Sequence, residues 1–314
     1  NTILNYVKNN YNWNQQNNMV SSKSPKQLIE EKSGNCSDLN LFAIGLLNSV
    51  GIEAYPVILS TRTHGKIKMD YPFSHFFNYV IILAKVEGKT KLADATEILS
   101  INDRIPPRCI NDKGLVVKKD TVEWINLECL FPSNINTSVQ MKINKNELAV
   151  NILKVCTEYD ALYFRNQYTD NIDHIKEIIS TKNYSIIDST IKIQNQQSNT
   201  KPYILSYNLT AKPNVVNDKI YISPFLQEVI PENPLKQSER KYPIDMVYPK
   251  KRSFNSTLTI PSDYQIDFIP KNLKIKNELF ELNYSIRTDD NKIYITFDYF
   301  FKKSVYQSTD YSKI

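Results

Sequence analysis

Ser33-Gly34-Asn35-Cys36-Ser37-Asp38-Leu39-Asn40-Leu41 runs on into Phe42-Ala43-Ile44-Gly45-Leu46-Leu47-Asn48-Ser49-Val50-Gly51. Leu39, Phe42, Ala43, Leu46, Leu47 and Val50 recur at helical spacing, so the stretch reads as an amphipathic helix. Ser33 and Asn35 are capping types at its start, Gly34 lets the backbone approach closely, and Gly51 supplies the left-handed residue that ends it. Cys36 then stands at the positive end of a helix dipole, where a thiol pKa is expected to fall and a thiolate nucleophile is favoured. A buried cysteine at an ordinary helix start fits the same local residues.

Beyond Gly51 the period changes from helix to strand. Ala54 to Leu59, Asn78 to Val86 and Thr90 to Asp94 read as strands, the last two joined as a hairpin around Glu87-Gly88-Lys89. Asp94-Ala95-Thr96 closes that hairpin, and its aspartate is either an orienting carboxylate or a turn cap. A thiol nucleophile of this kind needs an imidazole between it and the carboxylate. His75 is the histidine nearest in range, although its neighbours Phe73, Phe76 and Phe77 equally suit a packed ring.

The chain has 314 residues, enough for two or three domains. Its net charge of +6 is interleaved with acidic residues except at Lys250-Lys251-Arg252, which reads as a solvated turn. No concentrated basic face with aromatic platforms is present, so nucleic acid is not an expected partner. No apolar run approaches the roughly 20 residues of a membrane-spanning helix. Cys36, Cys109, Cys129 and Cys156 are too widely and irregularly spaced for a disulfide framework, and Cys129 and Cys156 read as core. His64, His75 and His174 show no ligand spacing, so neither metal nor cofactor is expected. The start, Asn1-Thr2-Ile3-Leu4, has no initiator Met and no signal-peptide layout, and reads as a fragment or a mature chain.

All six glycines fall between Gly34 and Gly114, which marks a change of domain after that point. Short helices are expected near Glu158 to Arg165 and Ile172 to Ile179, with a polar loop at 195–200. After Pro231-Glu232-Asn233-Pro234 the chain returns to strand patterning at Thr257 to Ile260, Tyr264 to Ile269 and Lys292 to Tyr299.

The run from Gly34 to Leu41, continued through Leu46-Leu47-Asn48-Ser49-Val50-Gly51-Ile52-Glu53-Ala54-Tyr55-Pro56-Val57 and joined by Asp94-Ala95-Thr96, resembles the transglutaminase-like superfamily of papain-fold cysteine enzymes. It looks most like the bacterial branch in which this domain is followed by β-rich segments. Ile105-Pro106-Pro107-Arg108-Cys109-Ile110-Asn111 is similar to that branch's segment after the strand pair. Arg240-Lys241-Tyr242-Pro243, and Ile260-Pro261-Ser262-Asp263-Tyr264 through Ile269-Pro270, resemble its C-terminal β-domain. The resemblance implies an α+β fold: a papain/transglutaminase-like domain over 1–118, a β-rich middle region with short helices over 119–235, and a C-terminal β-sandwich over 236–314.

It also implies a triad in which Cys36 attacks an amide carbonyl, a histidine acts as base and then acid, and Asp94 orients the imidazole. The position where relatives carry that histidine holds Tyr79, in Phe77-Asn78-Tyr79-Val80-Ile81. His75 lies four residues upstream, about 13 Å away along a continuous strand at roughly 3.3 Å per residue. Three arrangements stay open. A folded loop brings His75 back over Cys36, His64 enters from the stretch Thr61 to Met69, or Tyr79 replaces the base and the site is degenerate. Trp13 resembles an aromatic that precedes the cysteine in relatives. Two functions follow: amide hydrolysis or acyl transfer on protein or peptide through Cys36, or a degenerate protein- or peptide-binding module of a larger assembly. The family favours an exported, periplasmic or cell-surface location, and no cofactor is implied. The sequence specifies no oligomeric state.

Overall fold

The computed structural model describes residues 1–314 apart from 72, 145–146, 169–171, 180–183, 227 and 229–235. The chain divides into two compact units, Asn1–Cys129 and Leu130–Ile314, and strands predominate over helices along its length.

The first unit opens with three helices: α1 (Thr2–Asn10), α2 (Pro25–Glu31) and α3 (Cys36–Ser49). Asn35 caps α3 reciprocally. Its side chain accepts the Asp38 N–H at 2.9 Å, and Asp38 Oδ2 accepts the Asn35 N–H at 2.8 Å, so two otherwise orphaned donors are satisfied. Cys36 is thereby the first helical residue. Val50 ends the helix, and Gly51 follows in the left-handed region at φ +82°. Leu39, Ala43 and Leu47 share one core with Val7 of α1 and with Ile82, Ala84 and Ala93 of the sheet. A fully buried leucine such as Leu39 contributes about 1.5–3 kcal/mol there.

That sheet is antiparallel, built from β1 (Ala54–Leu59), β2 (Tyr79–Val86), β3 (Lys89–Ala93), β4 (Lys113–Lys118) and β5 (Thr121–Asn126) in the order β3-β2-β1-β4-β5. The expected hairpin forms between β2 and β3: Val86 pairs with Lys89, and Glu87 and Gly88 both take positive φ, as a tight two-residue turn needs. Every residue from Tyr79 to Ala84 is buried, so β2 is the spine of the unit. The expected boundary at 118 falls inside the β4–β5 turn, where Lys118 pairs with Thr121, and the sheet continues to Asn126.

The second unit is organised by one eight-stranded mixed sheet. Its strands are β6 (Ser133–Asn144), β7 (Glu147–Cys156), β8 (Tyr184–Gln194), β9 (Tyr203–Ala211), β10 (Lys250–Thr259), β11 (Leu273–Lys276), β12 (Phe280–Asp289) and β13 (Lys292–Phe301), in the order β8-β9-β7-β6-β10-β13-β12-β11. The expected helices are present as α4 (Glu158–Tyr168) and α5 (Ile172–Ile179). Strands expected to form a separate C-terminal sandwich instead share a sheet with residues 133–211. β10 runs parallel to β6 over ten paired residues, from Lys250 with Ser133 to Thr259 with Lys142. The expected break at Pro231 to Pro234 lies outside the described residues. Tyr264 to Ile269, expected as a strand, is irregular and mostly exposed.

Lys250-Lys251-Arg252 is not a solvated turn but the start of an interior strand. Strand alternation turns Arg252 inward, where its Nη1 and Nη2 donate to the two Asp160 oxygens at 2.8 Å each. Asp160 also accepts Ser133 Oγ at 2.6 Å, which ties α4 to β6 and β10.

Candidate functional site

The site forms where the N-terminus of α3 meets the start of β2 and the end of β3. Asn40, one turn along α3 from Cys36, is the joint. Its Nδ2 donates to the Val80 carbonyl at 2.9 Å and to Asp94 Oδ2 at 3.0 Å, while its Oδ1 accepts the Ala95 N–H at 2.8 Å. A fully buried amide satisfied on both ends fixes helix against hairpin.

Cys36 is completely buried and its thiol is covered by the strap that precedes α2. Sγ accepts the Asn18 N–H at 3.2 Å and donates to the Asn18 carbonyl at 3.1 Å. Ser37 Oγ donates to the same carbonyl at 2.6 Å. The lowered thiol pKa expected from the helix start is not what results. Burial raises it, and the opposing hydrogen bonds from the backbone of Asn18 and Val80 do not recover the difference.

A second feature of the strap bears on chemistry. Gln15 takes the left-handed conformation at φ 66°, uncommon for a non-glycine residue, immediately before Gln16. The Gln16 carbonyl then receives two donors, the Cys36 backbone N–H at 3.2 Å and the Trp13 indole Nε1–H at 3.0 Å. Donors converging on one oxygen beside a nucleophile are what an oxyanion requires. Here the protein's own carbonyl occupies them.

Tyr79 and Asp94 meet in the core. The Tyr79 hydroxyl donates to Asp94 Oδ2 at 3.0 Å and lies 2.9 Å from Thr96 Oγ1. Asp94 Oδ1 accepts the Thr96 N–H at 2.9 Å and the Thr96 hydroxyl, so all the acceptor directions of the carboxylate are engaged. Burial, reinforced by the Asp94 charge, pushes the Tyr79 phenol well above its ordinary value of 10.

Arg108 closes this cluster. Its Nη2 donates to the Tyr79 hydroxyl at 2.9 Å and to Thr96 Oγ1 at 2.6 Å, its Nη1 pairs with Glu97, and its guanidinium lies 4.2 Å over the Trp13 ring. Burial works against its charge, but the Asp94 and Glu97 carboxylates oppose burial, and its pKa stays above the ordinary arginine value. The result is a neutral phenol and a saturated carboxylate in one hydrogen-bonded network, with the thiol bonded separately to the Asn18 backbone.

His75 does not join them. It lies in a turn of 3-10 helix, Ser74–Phe76, with its exposed ring 5.8 Å from Phe73 and 4.2 Å from Phe76. His64 Nε2 is 2.9 Å from the His75 carbonyl, so both histidines belong to the β1–β2 loop. Among the described residues neither is hydrogen-bonded to Cys36, Tyr79 or Asp94, and no group of three or more His, Cys, Asp or Glu side chains could hold a metal ion. Among the described residues, no helix is long and apolar enough to cross a membrane.

Sequence reading missed Asn40, Thr96, Arg108 and the Gln16 carbonyl. Asn40 carried a signal, being a polar residue on the buried face one turn after the cysteine, and Arg108 lies within Ile105 to Asn111, already read as family-like.

Residues 1–90 match the model of the transglutaminase-like superfamily, and residues 218–314 match a domain of unknown function with a solved structure (DUF3858). The first ninety residues are thus a transglutaminase-like segment. No curated protein matches the chain. Among solved structures it is similar to the crystal structure of a "putative protease" from Parabacteroides distasonis ATCC 8503, at 12% identity over 99% of this chain and 46% of that one, with a TM-score of 0.49. This chain spans less than half the length of that protein.

Proposed function

We propose that the transglutaminase-like first unit is catalytically degenerate and works as a protein- or peptide-binding module of an exported assembly, with Cys36 a buried structural thiol. The observation that carries this reading is the Tyr79 hydroxyl hydrogen-bonded to Asp94, where catalysis would need an imidazole. An imidazole could take the thiol proton at neutral pH; a phenol titrating above 10 cannot. The Gln16 carbonyl adds to this by filling the donors that a reacting carbonyl would need. Support for a binding role comes from the β1–β2 loop, which exposes Met69, Tyr71 and Phe73 together.

The catalytic reading, amide hydrolysis or acyl transfer through a thioester on Cys36, is favoured by the helix-start position of Cys36 and by Asp94 just past β3. It requires His75 or His64 to reach the thiol. Iodoacetamide labelling at pH 6, read by mass spectrometry, separates the two. Under the degenerate reading Cys36 reacts no faster than Cys109, Cys129 or Cys156. Rapid, selective labelling of Cys36 that slows in His75→Ala would overturn it.

A further inference from the structure

We infer that the open edge of the second unit's sheet is a docking strand for an extended segment of a partner protein in which acidic and apolar residues alternate. β11 is the last strand of that sheet and pairs only with β12 among the described residues. Its outer edge therefore offers unpaired backbone donors and acceptors, the template to which an extended chain adds. All four of its side chains are exposed.

The two faces of this edge differ in chemistry. Leu273 is level with Tyr284 and Ile275 with Leu282, and Tyr284 packs against the core. Leu273 and Ile275 thus extend the core layer beyond its cover, at 51% and 43% exposure. Lys274 and Lys276 point to the opposite face, level with Asn283 and Glu281. A cleft of about 310 Å³ at this edge has Lys251, Lys274, Lys276, Glu281 and Asp298 among its lining residues, alongside uncharged ones that include Ile275, Leu282 and Phe300. Glu281 is held by Lys276 at 3.4 Å and by Lys302 at 2.9 Å. Four lysines then face two carboxylates, and the complement to that excess is acidic.

A ninth strand with carboxylates on the lysine face and branched apolar residues over Leu273 and Ile275 matches both rows at the strand period of two. A second copy of this chain fits less well, because edge-to-edge pairing would set Lys274 and Lys276 against their own counterparts. The inference does not depend on how the first unit acts.

The test uses the full chain at low ionic strength and a fluorescein-labelled octapeptide of alternating Glu and Val, read by fluorescence anisotropy. Saturable binding is expected, with slowed hydrogen exchange at Leu273 to Lys276. N-methylation of alternate peptide amides should weaken binding at least about tenfold, as should replacing Glu by Lys in the peptide. Lys274→Glu should weaken the Glu-Val peptide and improve the Lys-Val one. No saturable binding, or equal binding of the N-methylated peptide, overturns the proposal. So does a dimer of the chain that protects Leu273 to Lys276 without peptide, because it assigns the edge to a second copy.

Discussion

At the scale of single residues, the balance at Cys36 is set by burial. A helix dipole contributes typically 0.3–1 kcal/mol and acts best on a partly solvated group, whereas complete burial disfavours the thiolate and prevails here. Replacing Tyr79 by His should put an imidazole on Asp94 and raise the Cys36 alkylation rate at pH 7 by about tenfold. Arg108 beside it disfavours an imidazolium, so the pair Tyr79→His with Arg108→Gln should react faster still. Neither variant should hydrolyse an amide, because the Gln16 carbonyl keeps its two donors; turnover of a chromogenic amide by either would contradict that occupancy. Lys8 gives a second residue-scale expectation. Buried and donating to the Ser100 carbonyl at 2.9 Å, it is pushed down to about 8 by burial, against the pull of Asp94 and Glu97. Between pH 8 and its unfolded value of 10.5 the unfolded chain binds the extra proton, so this group makes stability rise with pH across that window. Thermal melts of the wild-type chain and Lys8→Met should differ in slope there. Cys36 and Asp94 were legible in the sequence because each sits at a fixed offset from a periodic element, whereas Tyr79 was legible only through the family resemblance. The closure by Gln16 was not, because a backbone carbonyl's partners depend on the fold of a strap that carries no periodicity.

The element that depends most on a few atoms is the start of α3. Asp38 is both half of the cap and the anchor of the preceding strap. It accepts Ser21 Oγ at 2.6 Å, Ser22 Oγ and N–H at 2.8 Å each and the Lys23 N–H at 3.0 Å, besides the Asn35 N–H. Burial alone would raise its pKa, but these bonds, Ser21 foremost, outweigh burial and hold it below 3.8. A depressed carboxylate adds stability that is complete above its unfolded pKa and disappears as pH falls through the folded value. Acid unfolding of the first unit should therefore steepen below about pH 3.8 and lose that limb in Asp38→Asn, as followed by near-UV circular dichroism. Asn35→Ala removes one capping partner and should cost about 1 kcal/mol in urea denaturation. Gly34→Ala should cost more, since its Cβ would lie 2.7 Å from Asp38 Cβ and 3.1 Å from Leu28 Cδ1. Capping and periodicity made α3 readable in the sequence. The same signals told nothing of how β6 and β10 pair, because strand alternation fixes which face is buried but not which partner lies alongside.

For the molecule as a whole, that parallel pairing decides where the chain can be divided. The sequence favoured a cut near 235, yet β6 of the middle region has β10 of the C-terminal region as its direct neighbour, and Asp160 on α4 draws its charge partner from the same distant strand. A fragment ending at 235 would expose the β6 edge and leave Asp160 buried without Arg252. Removing one partner of a buried ion pair costs about 3–5 kcal/mol, a large share of the roughly 5–15 kcal/mol by which a domain is stable. The fragment 130–235 should accordingly be unfolded or aggregated, whereas 130–314 should melt in one cooperative transition. Arg252→Leu in the full chain isolates the ion pair from the lost strand. It should lower the midpoint of the second unit's urea transition while leaving that of the first unchanged, with tryptophan fluorescence reporting the first unit, where both Trp13 and Trp124 reside. A folded, monodisperse fragment 130–235 would restore the boundary near 235 and remove the β6–β10 pairing as the organising contact of the second unit.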